Sequence, residues 1–387
     1  MSKNGPSHSL SLSDNTKFLL CCFCWYLSSS LSSNTGKQIM NHFRYPVTLT
    51  YVQFIFVACW SAIAEKAVNM KNIRKPTKVI IQTIIPLSIF MIVGHVFSSI
   101  SISRIPVSLV HTIKALAPLF TVLFYRFIFK VHYSSKVYTA LIPLTTGVIL
   151  ACSFTFSNNL IGLLCALASC LIFVLQNIFS KKLLFKESKK GSSNPNKLDK
   201  MNMMFYSAFI AFVLMTPMWF YYDGFHILFN QANRDISRTK LLYYFLLNGT
   251  THFAQNWFAF TTLSMSSPVT YSIASLVKRI FVIVMSIIWF GQQVSLIQSL
   301  GIILTFVGLW MYQSAKREVD QGESKACERS IDVLPTSNKG QDAEEILLNE
   351  KSHLPNSNAL NNPAMTMKKW IGNHIPGSNT ARNVKLL

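Results

Sequence analysis

Negative charge is almost missing from the first 313 residues. The chain has 387 residues, with 36 Lys or Arg against 15 Asp or Glu, and nine of those acids fall after residue 313, where ten basic residues nearly cancel them. The other six are Asp14, Glu65, Glu187, Asp199, Asp223 and Asp235, and none stands in the middle of an apolar run. That excludes the intramembrane carboxylates by which proton- and sodium-coupled carriers commonly work. Charge of either sign is scarce: 13% of residues are charged, against about 25% in an ordinary globular protein.

Other absences narrow the chemistry. Seven of the eight cysteines (Cys21, Cys22, Cys24, Cys59, Cys152, Cys165 and Cys170) lie in apolar runs, and Cys327 lies in a polar tail. The C-C-x-C at 21–24 lacks zinc spacing and nearby partner histidines, so neither a metal site nor a disulfide framework is expected. There is no G-x-S-x-G, no H-E-x-x-H, no P-loop and no carboxylate pair on one helix face. No enzyme activity and no cofactor are expected.

What is present is apolar length. Half of the chain is hydrophobic, and windows of 18 to 24 apolar residues recur as far as about residue 313. This pattern predicts an all-α polytopic membrane protein. Ten spans are expected at 17–36, 46–66, 78–99, 105–128, 136–154, 159–180, 203–223, 241–262, 268–290 and 294–313. The first, with "YLSSSLSSNTGK", is polar for a lipid-facing helix and is expected to pack against others or line a cavity. Connections at 66–78, 126–136 and 181–200 carry five, three and seven basic residues, and those on the opposite face carry few. The positive-inside bias then places both termini in the cytosol. It also explains the net charge of +21 without nucleic acid, so the expected macroscopic partner is the lipid bilayer.

The organisation expected is a cytosolic N-terminal segment at 1–16, one transmembrane repeat at 17–154, a second at 155–313 containing the cytosolic loop 181–200, and a disordered cytosolic tail at 314–387. Within the tail, "MKKWIGNHI" (367–375) offers at most a short membrane-surface contact. The segment before Phe18 lacks an A-x-A-like cleavage site, so the first span is expected to serve as its own insertion signal. The two repeats are suggested by "RIPVSLVHTIKALAPLFTVLF" and "SSPVTYSIASLVKRIFVIVMS", which both open on Pro-Val-Ser/Thr 162 residues apart. Five spans separate them, so the halves have opposite topology, a transporter design with its site at the midplane.

Those same stretches bury cations. At 1.5 Å per residue, Lys114 lies about 14 Å into its span and Lys278, beside Arg279, about 15 Å into its own. A charge at that depth costs roughly 2.5–3.5 kcal/mol. No acidic residue is available to pair with them, which leaves a hydrated cavity that accepts an anion. A phosphate or phosphate–carboxylate ligand suits two lysines and an arginine, because arginine offers bidentate hydrogen bonds and lysine a mobile point charge. A site of unpaired positive charge resists changing sides empty, which favours obligatory exchange of anions. His95, His111, the Gln176–Asn177 pair and the Gln255–Asn256 pair stand at membrane depth, where packing and ligand contact explain them equally well. "NGT" at 248–250 matches a glycosylation acceptor but lies within a span.

Four segments carry a resemblance. "HTIKALAP" (111–118) resembles the H-T-I-K-A-L-E-P motif of the triose-phosphate/phosphate translocator family, within the drug/metabolite transporter superfamily. "LVKRIFVIVMSIIWFG" (276–291), "IFSKKLL" (178–184) and "GLWMYQSAK" resemble its other signature stretches, and the likeness spans 17–316. It is closest to fungal members of the secretory pathway. The resemblance implies ten helices in two inverted five-helix repeats, exchange of organic phosphates against phosphate, and a phosphate clamp at Lys114, Lys278 and Arg279. It also places His95 and Ser98 on the substrate-facing side and the protein in the endoplasmic reticulum or Golgi. The chain departs from the plastid pattern where Ala117 replaces a glutamate, Gln255 a phosphate-holding tyrosine and Gln176 an arginine, which leaves open whether the substrate is a triose phosphate, phosphoenolpyruvate or a sugar phosphate. Two other functions also fit the sequence: a nucleotide-sugar/nucleoside monophosphate antiporter, and a trafficking or scaffold protein acting through its tail.

Overall fold

The computed structural model describes residues 14–68, 75–188, 200–229, 237–265 and 268–329. The middle of the 181–200 loop and the tail beyond Arg329, including 367–375, lie outside the described residues. An apolar segment in lipid must satisfy its own backbone, and a helix does so locally. All regular structure among the described residues is helical: α1 (Asp14–His42), α2 (Pro46–Val68), α3 (Lys78–Arg104), α4 (Val107–Lys114), α5 (Ala117–Ile128), α6 (Ser135–Asn158), α7 (Leu160–Ser188), α8 (Lys200–Trp219), a π-helical turn (Phe220–Gly224), α9 (Phe225–Phe229), α10 (Arg238–Met265), α11 (Pro268–Phe290) and α12 (Leu296–Arg329).

Eight segments among the described residues are long and apolar enough to cross a membrane. Two are composite: α4 and α5 together form Val107–Ile128, and α8 with the π turn and α9 forms Met201–Leu228. The outward faces carry exposed Phe127, Ile142, Ile149, Ile288 and Trp310, as a lipid-solvated surface requires. The remaining long helices, α1 and α10, have 29 and 28 residues but are more polar. They lie against each other and turn hydroxyls and amides inward. Asn248 of α10 donates to the Ser32 carbonyl at 2.7 Å and to Thr35 Oγ1 at 3.1 Å, and accepts from Gln53 Nε2 of α2 at 2.9 Å. Buried at 1% exposure, Asn248 is unavailable to a glycan.

A different seam joins α6 to α12. A Cβ on Gly147 would strike the Thr305 amide nitrogen, one on Gly301 the Ala151 amide nitrogen, and one on Gly308 the Leu144 amide nitrogen. These glycines allow the two backbones to touch, the packing that small residues permit in membranes. The main apolar core, with Val110, Tyr125, Val137, Leu144, Ala166 and Leu309, sits beside this seam.

Three details differ from the sequence reading. Backbone helix continues through Arg329, inside the 314–387 tail expected to be disordered, because extending an existing helix avoids the cost of nucleation. Asp223, expected at the end of a span, lies within a longer one that reaches Leu228 and is 6% exposed. Its Oδ2 accepts from the Thr48 amide at 2.7 Å and from Thr48 Oγ1 at 2.9 Å, which caps the first turn of α2 from another helix. Finally, the span at 105–128 is not one helix but breaks at Ala115–Leu116.

Candidate functional site

The break follows from Pro118. A proline inside a helix has no N–H for the carbonyl four residues earlier and its ring crowds that carbonyl; here that residue is Lys114. The backbone tightens instead, with the Leu116 amide donating to Ile113 at 2.9 Å. The released Lys114 carbonyl accepts from Arg279 Nη1 of α11 at 2.5 Å and faces Cys170 Sγ of α7 at 3.8 Å. One proline thus ends α4 at the lysine and gives the arginine an anchor.

The Lys114 ammonium itself donates to Ser98 Oγ of α3 at 2.7 Å and lies 5.2 Å from the centre of the Phe173 ring. Phe173 reaches that place because α7 packs against Gly94, where a Cβ would meet the ring at 2.9 Å, and because Ser169 Oγ donates to the Gly94 carbonyl at 3.0 Å. Lys278 precedes Arg279 on α11, and consecutive helical residues diverge by about 100°. Arg279 therefore faces α4, while Lys278 Nζ lies 5.0 Å from the Trp25 ring of α1. Trp25 in turn stacks on Tyr271 at 5.2 Å.

Lys278 makes no hydrogen bond and meets no carboxylate among the described residues. A cation–π contact contributes about 0.5–2 kcal/mol, less than the roughly 2.5–3.5 kcal/mol that a mid-membrane charge costs. Arg279, with five N–H donors, places one on Lys114. The one buried carboxylate among the described residues, Asp223, is occupied by Thr48.

Histidines form the next layer. His95 lies one turn from Ser98 on α3 and, among the described residues, makes ring contacts but no hydrogen bond: Phe173 at 5.0 Å, His252 at 5.4 Å and Phe54 at 5.5 Å. His252 Nδ1 is 3.0 Å from Gln255 Nε2 and 3.4 Å from Ser32 Oγ. His111 Nε2 is 3.1 Å from Ser33 Oγ on α1.

The structure thus brings Lys114, Ser98 and Arg279 into contact, sets Lys278 next to Arg279 on α11, and joins His95 and Gln255 through His252. His111 faces α1. Gln176 stands one turn beyond Phe173 on α7, its Oε1 buried and without a hydrogen bond among the described residues. The sequence reading missed His252, Phe173 and Trp25; the one available signal was that His252 precedes Gln255 by a single turn. No group of His, Cys, Asp or Glu suited to a metal occurs among the described residues.

Residues 16–313 match the sequence profile of the Triose-phosphate Transporter family. The chain belongs to that family. Among Triose-phosphate Transporter relatives, it is 47% identical to the Schizosaccharomyces pombe transporter C83.11, over 87% of this chain and 73% of that one. It is 29% identical to the Saccharomyces cerevisiae transporter SLY41, over 76% and 80%. It is 30% identical to the rice phosphoenolpyruvate/phosphate translocator 3, chloroplastic, over 76% and 73%. Its family membership makes it a membrane transporter, with apolar helices consistent with a bilayer.

Proposed function

We propose that the protein exchanges phosphate and phosphorylated organic metabolites across an endoplasmic-reticulum or Golgi membrane, with Lys114, Lys278 and Arg279 as the anion clamp. The observation that carries this reading is Lys278, a half-buried ammonium that makes no hydrogen bond among the described residues, beside an arginine that spends one donor there, on the Lys114 carbonyl. A tetrahedral dianion supplies what both lack, and the rice relative is named for phosphate and a phosphate ester. With no resident carboxylate, the empty clamp resists reorientation, so transport is obligatory exchange.

The proposed scaffold is ten membrane passes in two inverted repeats, with both termini cytosolic as the loop lysines favour. Helix pairing supports it. Contacts of α1 with α10, α2 with α10, and α1 with α11 are matched by α7 with α3, α8 with α3, and α7 with α4. Advancing every pass by five carries one set onto the other, and leaves the α2–α8, α4–α11 and α6–α12 pairs in place.

The test is uptake of labelled phosphate by purified protein in phosphate-loaded vesicles, beside vesicles without internal phosphate and beside Lys278→Ala. Exchange that needs internal phosphate and is lost with Lys278 is the expected result. Uptake into empty vesicles at the full rate refutes obligatory exchange, and full activity of the variant refutes the clamp.

A further inference from the structure

His252 has no place in the clamp, yet the fold invests in it. It is 7% exposed, and its Nδ1 lies between Gln255 of its own helix and Ser32 of α1. The main chain there is held by Asn256 Nδ2, which donates to the His252 carbonyl at 2.9 Å. With Nδ1 accepting from these neighbours, the neutral ring carries its proton on Nε2. That nitrogen makes no hydrogen bond among the described residues. It is not among the fully buried unpaired atoms, so it is an open donor that a ligand can reach.

The ring also stands at a definite offset from the phosphate residues. Ser98, which holds the Lys114 ammonium, and His95, which the His252 ring meets edge to face at 5.4 Å, are three residues apart on α3. That separation is about 4.5 Å along the helix, close to the distance from a phosphate ester to the second or third carbon of its skeleton. The layer's other groups are His95, with no hydrogen bond, and the Gln255 amide. All are neutral, and none competes with the cations for the phosphate. The charged groups facing the ring from the packed helices are Lys114 from α4 and, beyond it, Lys278 and Arg279 from α11.

We infer that His252 is a specificity residue: its Nε2–H donates to an acceptor oxygen on the carbon skeleton of the substrate, while the clamp holds the phosphate. Inorganic phosphate, which has no skeleton, does not reach it. The inference rests on the phosphate-exchange reading above and adds where the organic part is read. The acceptor is a carboxylate, carbonyl or hydroxyl oxygen, and two competitors distinguish the charged from the neutral kind.

The experiment measures phosphate exchange by the full chain in phosphate-loaded vesicles, with phosphoenolpyruvate and dihydroxyacetone phosphate as competitors. Wild type is compared with His252→Phe and His252→Gln. Loss of a hydrogen bond to a charged oxygen corresponds to about tenfold or more in affinity, and to a neutral one about threefold to tenfold. In His252→Phe, the inhibition constant of at least one competitor, divided by the KM for phosphate, rises by such a factor, and His252→Gln, which keeps a donor, recovers part of it. A carboxylate reader loses phosphoenolpyruvate selectively; a reader of neutral oxygens loses dihydroxyacetone phosphate as well. Ratios unchanged in both variants, or constants that all rise in step with the KM for phosphate, overturn the inference. If wild type exchanges no phosphate, the functional reading fails first and this one falls with it.

Discussion

Replacing Pro118 by alanine separates the fold from the site. Pro118 lacks the amide that would tie up the Lys114 carbonyl, and that carbonyl holds Arg279 Nη1 at 2.5 Å. An alanine amide draws the carbonyl back into the helical ladder and joins α4 to α5. Local helix stability gains, since proline is about 3 kcal/mol worse than alanine inside a helix; the existing break keeps the realised gain below that. The arginine loses a charge-assisted hydrogen bond worth about 1.5–3 kcal/mol, a factor of about 10 to 100 at 1.4 kcal/mol per decade. Bound anion restores part of the guanidinium's orientation, so the expected rise in KM for phosphate exchange is nearer tenfold. Thermal unfolding followed by size-exclusion chromatography gives the other half of the measurement, and Pro118→Ala should melt no lower than wild type. An unchanged KM in a well-folded variant refutes the claim that the freed carbonyl positions Arg279. A lower melting temperature shows that the break serves packing.

Asp223→Ala leaves the Thr48 amide and hydroxyl without their acceptor and should cost about 2 kcal/mol, read as a lower unfolding temperature, with Asp223→Asn intermediate because its amide oxygen still accepts. Gly308→Leu drives a side chain into the α6 backbone at Leu144 and should give little monodisperse protein, whereas Gly291→Ala, at a position with no atom within 4 Å of a Cβ, should remain soluble in detergent despite its positive φ of 56°. Protein from a glycosylating host should show no mobility change at Asn248 after endoglycosidase treatment; a shift abolished by Asn248→Gln would contradict the burial of that residue.

Local signals carried much of this architecture. Apolar runs marked the helices, and the count of acids exposed the unpaired cations before any packing was known. The break in the α4–α5 span was written in the chain as well, four residues before Pro118, but reading it requires asking which carbonyl a proline leaves free. Other features depend on tertiary placement. Nothing near Thr48 announces that Asp223, 175 residues away, will cap it. Trp25 looks like any aromatic in an apolar run until α11 sets Lys278 over its ring. His252 stays anonymous because its function depends on α3 and α1 arriving on either side. The helical stretch at 316–329 looked polar and aperiodic, and polarity alone does not stop a helix that a membrane span has already started.

The pairing of α1 with α10 also has consequences for biosynthesis. The polar face of α1 emerges from the ribosome first, but its partner Asn248 follows 216 residues after Ser32. At about 5–20 residues per second of synthesis, the Ser32 hydroxyl and carbonyl and the Thr35 hydroxyl wait about 10 to 40 s for their partners on α10. During that interval α1 is a poor tenant of lipid, and the nascent chain needs the insertion machinery, or an accessory factor beside it, to shelter that face. A chain truncated before α10 should therefore be retained there and degraded, even though most of its apolar spans are complete.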